Sequence, residues 1–79
     1  MSQSYFKMLA LRRHNLRVLV RRAPSYQAFA QSMGWSSGSY LSQLIGPAAT
    51  RRIHEGTART IEERCGLPLG WMDQDHAHE

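Results

Sequence analysis

Hydrogen-bonding side chains without charge are concentrated between Gly34 and Gly46, in the sequence GWSSGSYLSQLIG. Leu41, Leu44 and Ile45 share one side of a helix at about 100° per residue, so this side is expected to be buried. The other side carries hydroxyl and amide groups, from Ser37, Ser39, Tyr40, Ser42 and Gln43. These groups donate and accept hydrogen bonds but form no catalytic set of Ser, His and Asp. The stretch therefore predicts recognition of a polar partner rather than catalysis.

The major groove of double-stranded DNA suits this face, because base pairs present paired donors and acceptors there. Glutamine can bind adenine through two hydrogen bonds, and serine can serve as donor or acceptor. We therefore expect the five side chains of this face to read DNA bases. The alternative is a solvated surface helix with no partner.

Positive charge surrounds this stretch. Residues 1–54 contain eight arginines and lysines and no Asp or Glu, whereas residues 55–79 contain two arginines and six acidic residues. Such a division makes one region attractive to polyanions. Free backbone N–H groups at the start of a helix also attract phosphate. The residues that we expect to contact phosphate are Ser25, Gln27, Arg51 and Arg52.

A long helix is expected from Tyr5 to Arg22, because this segment lacks Gly and Pro and repeats apolar residues at helical spacing. Arg13, Arg17 and Arg21 are spaced four residues apart and line one side of that helix. From the sequence, this stripe can face either DNA or water.

Two short helices follow. Ser25 is a suitable N-cap for a helix from Tyr26 to Met33, and Gly34 ends that helix because glycine accepts positive φ at little cost. The next helix spans residues 37–45 and is closed by Gly46. Two short helices joined by a glycine-containing turn predict a helix-turn-helix.

The rest of the chain is also expected to be helical. Helical spacing resumes from Ile53 to Cys65, and Trp71 and Met72 belong to a last helical turn that packs against the core. No alternation of polar and apolar residues is long enough to predict a strand. We therefore expect an all-α fold, with residues 74–79 forming a disordered tail or the start of a linker.

Length and composition exclude several classes of protein. The 79 residues are enough for one domain, and the single cysteine excludes an internal disulfide and a multi-cysteine zinc site. No apolar run approaches the ~18 residues of a membrane span, so a cytoplasmic protein is expected. His76 and His78 stand beside Asp73 and Asp75, but a tail lacks the scaffold that fixes metal ligands. We expect no metal, cofactor, small-molecule ligand or enzymatic activity.

The sequence also resembles a known family. The elements AFAQSMG, SYLSQLIG and RRIHEGTARTIEERCGLPLGWMD are similar to the lambda-repressor-like, Cro/C1-type (XRE family) helix-turn-helix domains of phage repressors and related bacterial regulators. The last element matches an AR-x-IE…GLP-x-GW-[LM]-D pattern of one branch, and the resemblance covers about residues 11–73. It differs at Tyr26, where many relatives have glutamine, and at Gly38, which is expected inside a longer turn.

The resemblance implies a compact five-helix bundle over residues 1–73, with the third helix as the recognition helix. It also implies a sequence-specific double-stranded DNA-binding transcriptional repressor that acts as a homodimer on an inverted-repeat operator. The chain is then either the DNA-binding part of a longer repressor or a short regulator by itself. The alternative function is a protein-interaction module, such as an antitoxin-like partner protein that uses the acidic residues 55–79.

Overall fold

The computed structural model describes residues 3–36, 38–47 and 51–76. These residues form four α-helices and one 3-10 turn, and they contain no strand. The elements are α1 (Gln3–Arg22), α2 (Tyr26–Ser32), α3 (Gly38–Ile45), α4 (Glu55–Cys65) and the 3-10 turn Trp71–Asp73. The expected all-α class is confirmed.

The expected five-helix bundle is wrong in its count, because the fifth element is a single 3-10 turn of three residues. Before it, Gly66 and Gly70 both adopt positive φ, at 69° and 92°, a conformation that glycine takes without steric strain. After it, Gln74 is extended, with φ of −104° and ψ of 152°, so the element ends at Asp73.

The core is formed by one side of each helix and by the 3-10 turn. α1 contributes Leu16, Leu19 and Val20 from its second half, as its apolar spacing predicts. Full burial of a side chain of this size stabilises the fold by about 1.5–3 kcal/mol. The side chains that are at most 2% exposed, other than alanine and polar residues, are Leu16, Leu41, Leu44, Ile53, Ile61 and Met72.

Local signals set the ends of α2 and α3. The Ser25 hydroxyl accepts a hydrogen bond from the Ala28 backbone N–H at 3.0 Å, which confirms the expected N-cap. Gly34 has φ of 80°, as expected for the residue that follows a helix. Gly38 is the first residue of α3, which corrects its expected place inside the turn. A Cβ atom at Gly46 would lie 2.5 Å from the Ser42 carbonyl oxygen, so the chain can leave α3 this tightly only at a glycine.

A buried arginine connects α1 to the end of the 3-10 turn. Arg12 is 2% exposed and donates to Asp73 Oδ1 at 2.6 Å, to the Ile53 carbonyl at 2.9 Å and to Glu55 Oε1 at 2.8 Å. The hydrogen bond to Asp73 raises the pKa of Arg12 despite its burial. Burial favours a higher pKa for Asp73, but hydrogen bonds from Arg12 and Arg59 outweigh it, and the pKa of Asp73 lies below its usual value. A buried charge is tolerated only with such partners.

Two further buried polar side chains hold the same segment. Glu62 accepts hydrogen bonds from the backbone N–H groups of Gly70 and Met72, at 3.0 and 2.8 Å. Asn15 donates to the Met72 and Gln74 carbonyls, at 2.9 and 2.8 Å. The 3-10 turn is therefore attached to both α1 and α4 through backbone groups that would otherwise be buried without a partner.

The residues around this turn contact one another and the core. Arg59 and Glu62 form an ion pair at 3.4 Å. Met72 is fully buried and Trp71 packs against the core. His76 stacks on the Trp71 ring at 4.1 Å and contacts its carbonyl oxygen at 2.8 Å. None of the helices in the described ranges is both long and apolar enough to cross a membrane.

Candidate nucleic-acid interface

The short helix α3 is fixed to the core by its apolar side. Leu41 and Leu44 are 0% exposed and Ile45 is buried, as their spacing predicts. Ser39 and Ser42 lie on the opposite side and are exposed. α3 therefore presents hydroxyl groups at the surface while its orientation is set from within. Ser37, the remaining serine of the expected base-reading set, lies outside the described residues.

The C-terminal end of α3 is held by side chains from α1. The last four carbonyl groups of a helix have no partner within the helix, yet all four of α3 accept a hydrogen bond. Taken in order from residue 42 to residue 45, the donors are the Gly46 N–H (2.8 Å), the Arg51 N–H (3.0 Å), Arg13 Nε (3.0 Å) and Arg17 Nε (3.1 Å). Two of these donors are guanidinium groups, which also favour the negative end of the helix dipole.

Two of the three arginines in the stripe of α1 contact α3. Arg13 and Arg17 each use their Nε atom to hold α3, so these side chains position that helix. Arg21 instead lines an open groove of about 420 Å³ between α1, the start of α2 and the end of α3, together with His14 and Tyr26. The sequence shows the four-residue spacing of the stripe, but nothing in it marks the carbonyl groups of another helix as the partners.

Gln43 and Arg51 form a pair at the end of α3. Gln43 is partly buried, and its amide oxygen accepts a hydrogen bond from Arg51 Nε. The Arg51 guanidinium also lies 5.8 Å from the centroid of the Tyr40 ring, a cation–π distance. The two residues were expected in different roles, Gln43 on bases and Arg51 on phosphate. The structure brings both to one place, beside Tyr40.

Tyr40 belongs to a row of aromatic rings that covers one end of the core. Its ring meets Trp35 edge-on at 4.9 Å, and Trp35 meets Phe29 at 6.4 Å. Such edge-to-face pairs stabilise by about 0.5–1.5 kcal/mol beyond the burial of their surface. Trp35 packs against the core. The Tyr40 ring is only partly accessible to a partner.

The other residues expected to contact phosphate are all exposed. Ser25 and Gln27 lie at the start of α2, and the neighbouring Tyr26 ring lies 3.5 Å from a Cβ atom placed on Gly38, the first residue of α3. The starts of α2 and α3 are therefore close together. Arg52 lies elsewhere, with its guanidinium 6.0 Å from the centroid of the Tyr5 ring near the start of α1.

Other chemistry finds little support in the described part of the chain. No three His, Cys, Asp or Glu side chains there are grouped so that they can hold a metal ion. His78, half of the histidine pair considered in the sequence, lies outside the described residues. Burial raises the pKa of the Cys65 thiol, which disfavours the reactive thiolate, and Cys65 packs against the core.

The chain is related to phage repressors of the lambda-repressor-like, Cro/C1 type, which confirms the resemblance drawn from its sequence. It is 35% identical over 66 residues to the prophage repressor CohE of Escherichia coli (strain K12), a match that covers 84% of this chain and 29% of that protein. The chain thus spans less than a third of the length of this relative. No family model and no solved structure matches the chain.

Proposed function

We propose that the chain is a sequence-specific double-stranded DNA-binding transcription regulator, a repressor, in which α2 and α3 form a helix-turn-helix and α3 enters the major groove. The proposal rests on the way in which α3 is fixed to the rest of the protein. Its apolar side is fixed in the core and its C-terminal end is held by Arg13 and Arg17, while Ser39 and Ser42 face outward. A rigid helix with exposed hydrogen-bonding groups is what direct readout of base edges needs.

The base-reading residues in this proposal lie on α3 or directly before it, and phosphate contacts lie around them. Exposed Arg52, Ser25 and Gln27 supply the phosphate contacts, because backbone contacts fix the position of a protein on DNA. The name of the relative, a prophage repressor, agrees with this role. The proposed DNA-binding domain comprises residues 1–73. The residues proposed to read bases are Ser37, Ser39, Tyr40, Ser42 and Gln43.

We also propose that the chain binds as a homodimer to an inverted repeat. Two-fold symmetry would place two α3 helices in successive major grooves, with half-sites about 10 bp apart or at a multiple of that distance. If each subunit neutralises about three to five phosphates, log K falls with log salt with a slope of roughly −5 to −9 for the dimer.

Selection of bound sites from a random duplex pool tests the function, the symmetry and the spacing together. A palindromic consensus supports a dimeric repressor, and a single unrepeated half-site would remove the dimer from the proposal. The double variant Ser39→Ala/Ser42→Ala tests the reading face. It keeps the apolar side of α3 and should lose part of the consensus. A chain that ignores duplex DNA at about 0.1 M salt yet co-purifies with a protein would favour the interaction module instead.

A further inference from the structure

Arg51 is fixed to the end of α3 through its backbone and its side chain. Its N–H donates to the Gln43 carbonyl at 3.0 Å, and its own carbonyl accepts from Arg13 Nη2 at 3.1 Å. Its guanidinium donates to the Gln43 amide oxygen and lies over the Tyr40 ring. An exposed arginine whose only role is to bind phosphate needs none of these contacts. The arrangement instead places its guanidinium beside the Gln43 amide on the proposed reading face.

The hydrogen bond from Arg51 limits the hydrogen-bonding groups that Gln43 can offer to DNA. Arginine carries donors and no acceptor, so the Gln43 atom that faces Arg51 Nε is the amide oxygen. The amide nitrogen, which carries two N–H donors, is left for a partner, together with the second lone pair of the oxygen. The remaining guanidinium N–H groups of Arg51 are donors as well. The pair therefore offers several donors, whereas one of the two lone pairs of its single acceptor oxygen is already used.

Bases differ in whether they suit such an array. Guanine presents two acceptors in the major groove, N7 and O6, whereas adenine presents the N7 acceptor beside the N6 donor. The two-bond contact between glutamine and adenine requires the amide oxygen to accept from N6. While Gln43 is bonded to Arg51, its oxygen has one lone pair left for this contact and its orientation is set by Arg51, so the pair favours guanine, which needs donors alone.

We propose that Gln43 and Arg51 act as one reading unit that selects guanine, with Arg51 determining specificity rather than binding phosphate. This inference rests on the proposed DNA-binding function. It replaces adenine as the expected target of Gln43 and moves Arg51 from the phosphate-contacting set to the base-reading set. Tyr40 moves from the base-reading set to a positioning role, which it shares with Arg13, since the two residues hold Arg51 through its guanidinium and its carbonyl.

Site selection with the wild-type chain and with Arg51→Ala is the first test. The wild-type consensus should contain a guanine whose preference disappears in Gln43→Ala and in Arg51→Ala. Removal of the Arg51 side chain frees the Gln43 oxygen, so Arg51→Ala should prefer adenine at that same position. Arg52→Ala is the matched control, because it removes an exposed neighbouring arginine and should leave the base preference unchanged.

Modified duplexes provide the second test. With 7-deazaguanine at the selected position, N7 is lost, and wild-type affinity should fall by about 5- to 150-fold, the range for a good two-bond base contact. Inosine keeps N7 and O6 and lacks only the minor-groove amino group, so it should bind as guanine does. The Gln43→Ala/Arg51→Ala double variant should not distinguish 7-deazaguanine from guanine.

The outcomes separate the inference from the proposed function. A wild-type pool with no consensus overturns both. A clear consensus in which the position sensitive to Gln43 is adenine overturns the inference alone. The inference is also overturned if Arg51→Ala weakens binding to all sequences equally, because that is the behaviour of a phosphate contact. Far-ultraviolet circular dichroism of each variant checks that α3 remains folded.

Discussion

Replacing Asp73 by asparagine tests the connection between α1 and the 3-10 turn. The change keeps the size of the side chain and removes the charge that faces Arg12 at 2.6 Å and Arg59 at 2.8 Å. Removing one partner of a buried ion pair costs about 3–5 kcal/mol. Arg12 retains its contacts with Glu55 and the Ile53 carbonyl, and the Asp73 side chain is 27% exposed. We therefore expect a loss of about 2–3 kcal/mol, below that full range.

This loss is large for a chain of this size. At roughly 0.05–0.15 kcal/mol per residue, the 79 residues correspond to about 4–12 kcal/mol of total stability. With an m-value near 1 kcal/mol/M, urea unfolding at pH 7 should show a midpoint about 2–3 M lower for Asp73→Asn than for the wild type. Glu63→Gln is the matched control, because it removes the same charge from an exposed position on α4 and should change the midpoint little.

The pH dependence gives an independent check. The pKa of Asp73 is lower in the folded chain than in the unfolded chain, so its stabilising effect is complete above the unfolded pKa of about 3.9. The effect is lost as the pH falls through the folded pKa. The difference between wild type and Asp73→Asn should therefore be constant from pH 7 to about pH 5 and shrink below about pH 4.

A double variant shows whether an unpaired charge causes the loss. Arg12→Met/Asp73→Asn leaves no buried charge without its partner, so it should be closer to the wild type than Asp73→Asn alone. If Asp73→Asn unfolds within about 0.3 M urea of the wild type, at an m-value near 1 kcal/mol/M, Glu55 and the Ile53 carbonyl satisfy Arg12 by themselves. The assigned role of Asp73 would then be wrong.

Three further substitutions test single features of the structure. Ser25→Ala removes the N-cap of α2 and should lower the free energy of unfolding by about 1 kcal/mol in urea titrations. Gly34→Ala places a side chain at φ of 80° and should lower the thermal midpoint through about 1–2 kcal/mol of strain. The comparison variant is Ala10→Gly on the exposed side of α1, which should lower the free energy of unfolding by about 1 kcal/mol or less. Arg52→Ala should weaken binding to all DNA sequences alike and make the salt slope shallower by about one per subunit, measured by fluorescence anisotropy; an unchanged slope would remove Arg52 from the phosphate-contacting set.

Much of the fold is predictable from local patterns. The apolar side of α3 follows from the contrast between Leu41, Leu44 and Ile45 and the polar residues around them, and burial agrees with it. Ser25 and Gly34 act on backbone groups within a few residues of themselves, so a short stretch of sequence is enough to predict that they begin and end α2. Signals of this kind need no knowledge of the rest of the chain.

The contacts that position the site depend on distant residues and are not predictable in this way. Arg12 and Arg13 are neighbours in one helix, yet one is buried against Asp73, 61 residues away, and the other holds the Leu44 carbonyl, 31 residues away. Nothing in the local sequence distinguishes the two arginines. The pairing of Gln43 with Arg51 also depends on the path of the chain after α3, and that path decides which amide atom faces the guanidinium.

These contacts reduce the number of cationic side chains in residues 1–54 that can reach a phosphate. Residues 1–54 contain eight cationic side chains, but Arg12 is paired with Asp73 and Glu55 inside the protein. Arg13 and Arg17 bind carbonyl groups at the end of α3, which lowers their freedom to reach a phosphate. A count of basic residues therefore overestimates the number of phosphates that one subunit neutralises. In the proposed complex the exposed arginines outside this set, together with backbone N–H groups, supply the phosphate contacts, so we expect a slope nearer −5 than −9 for the proposed dimer.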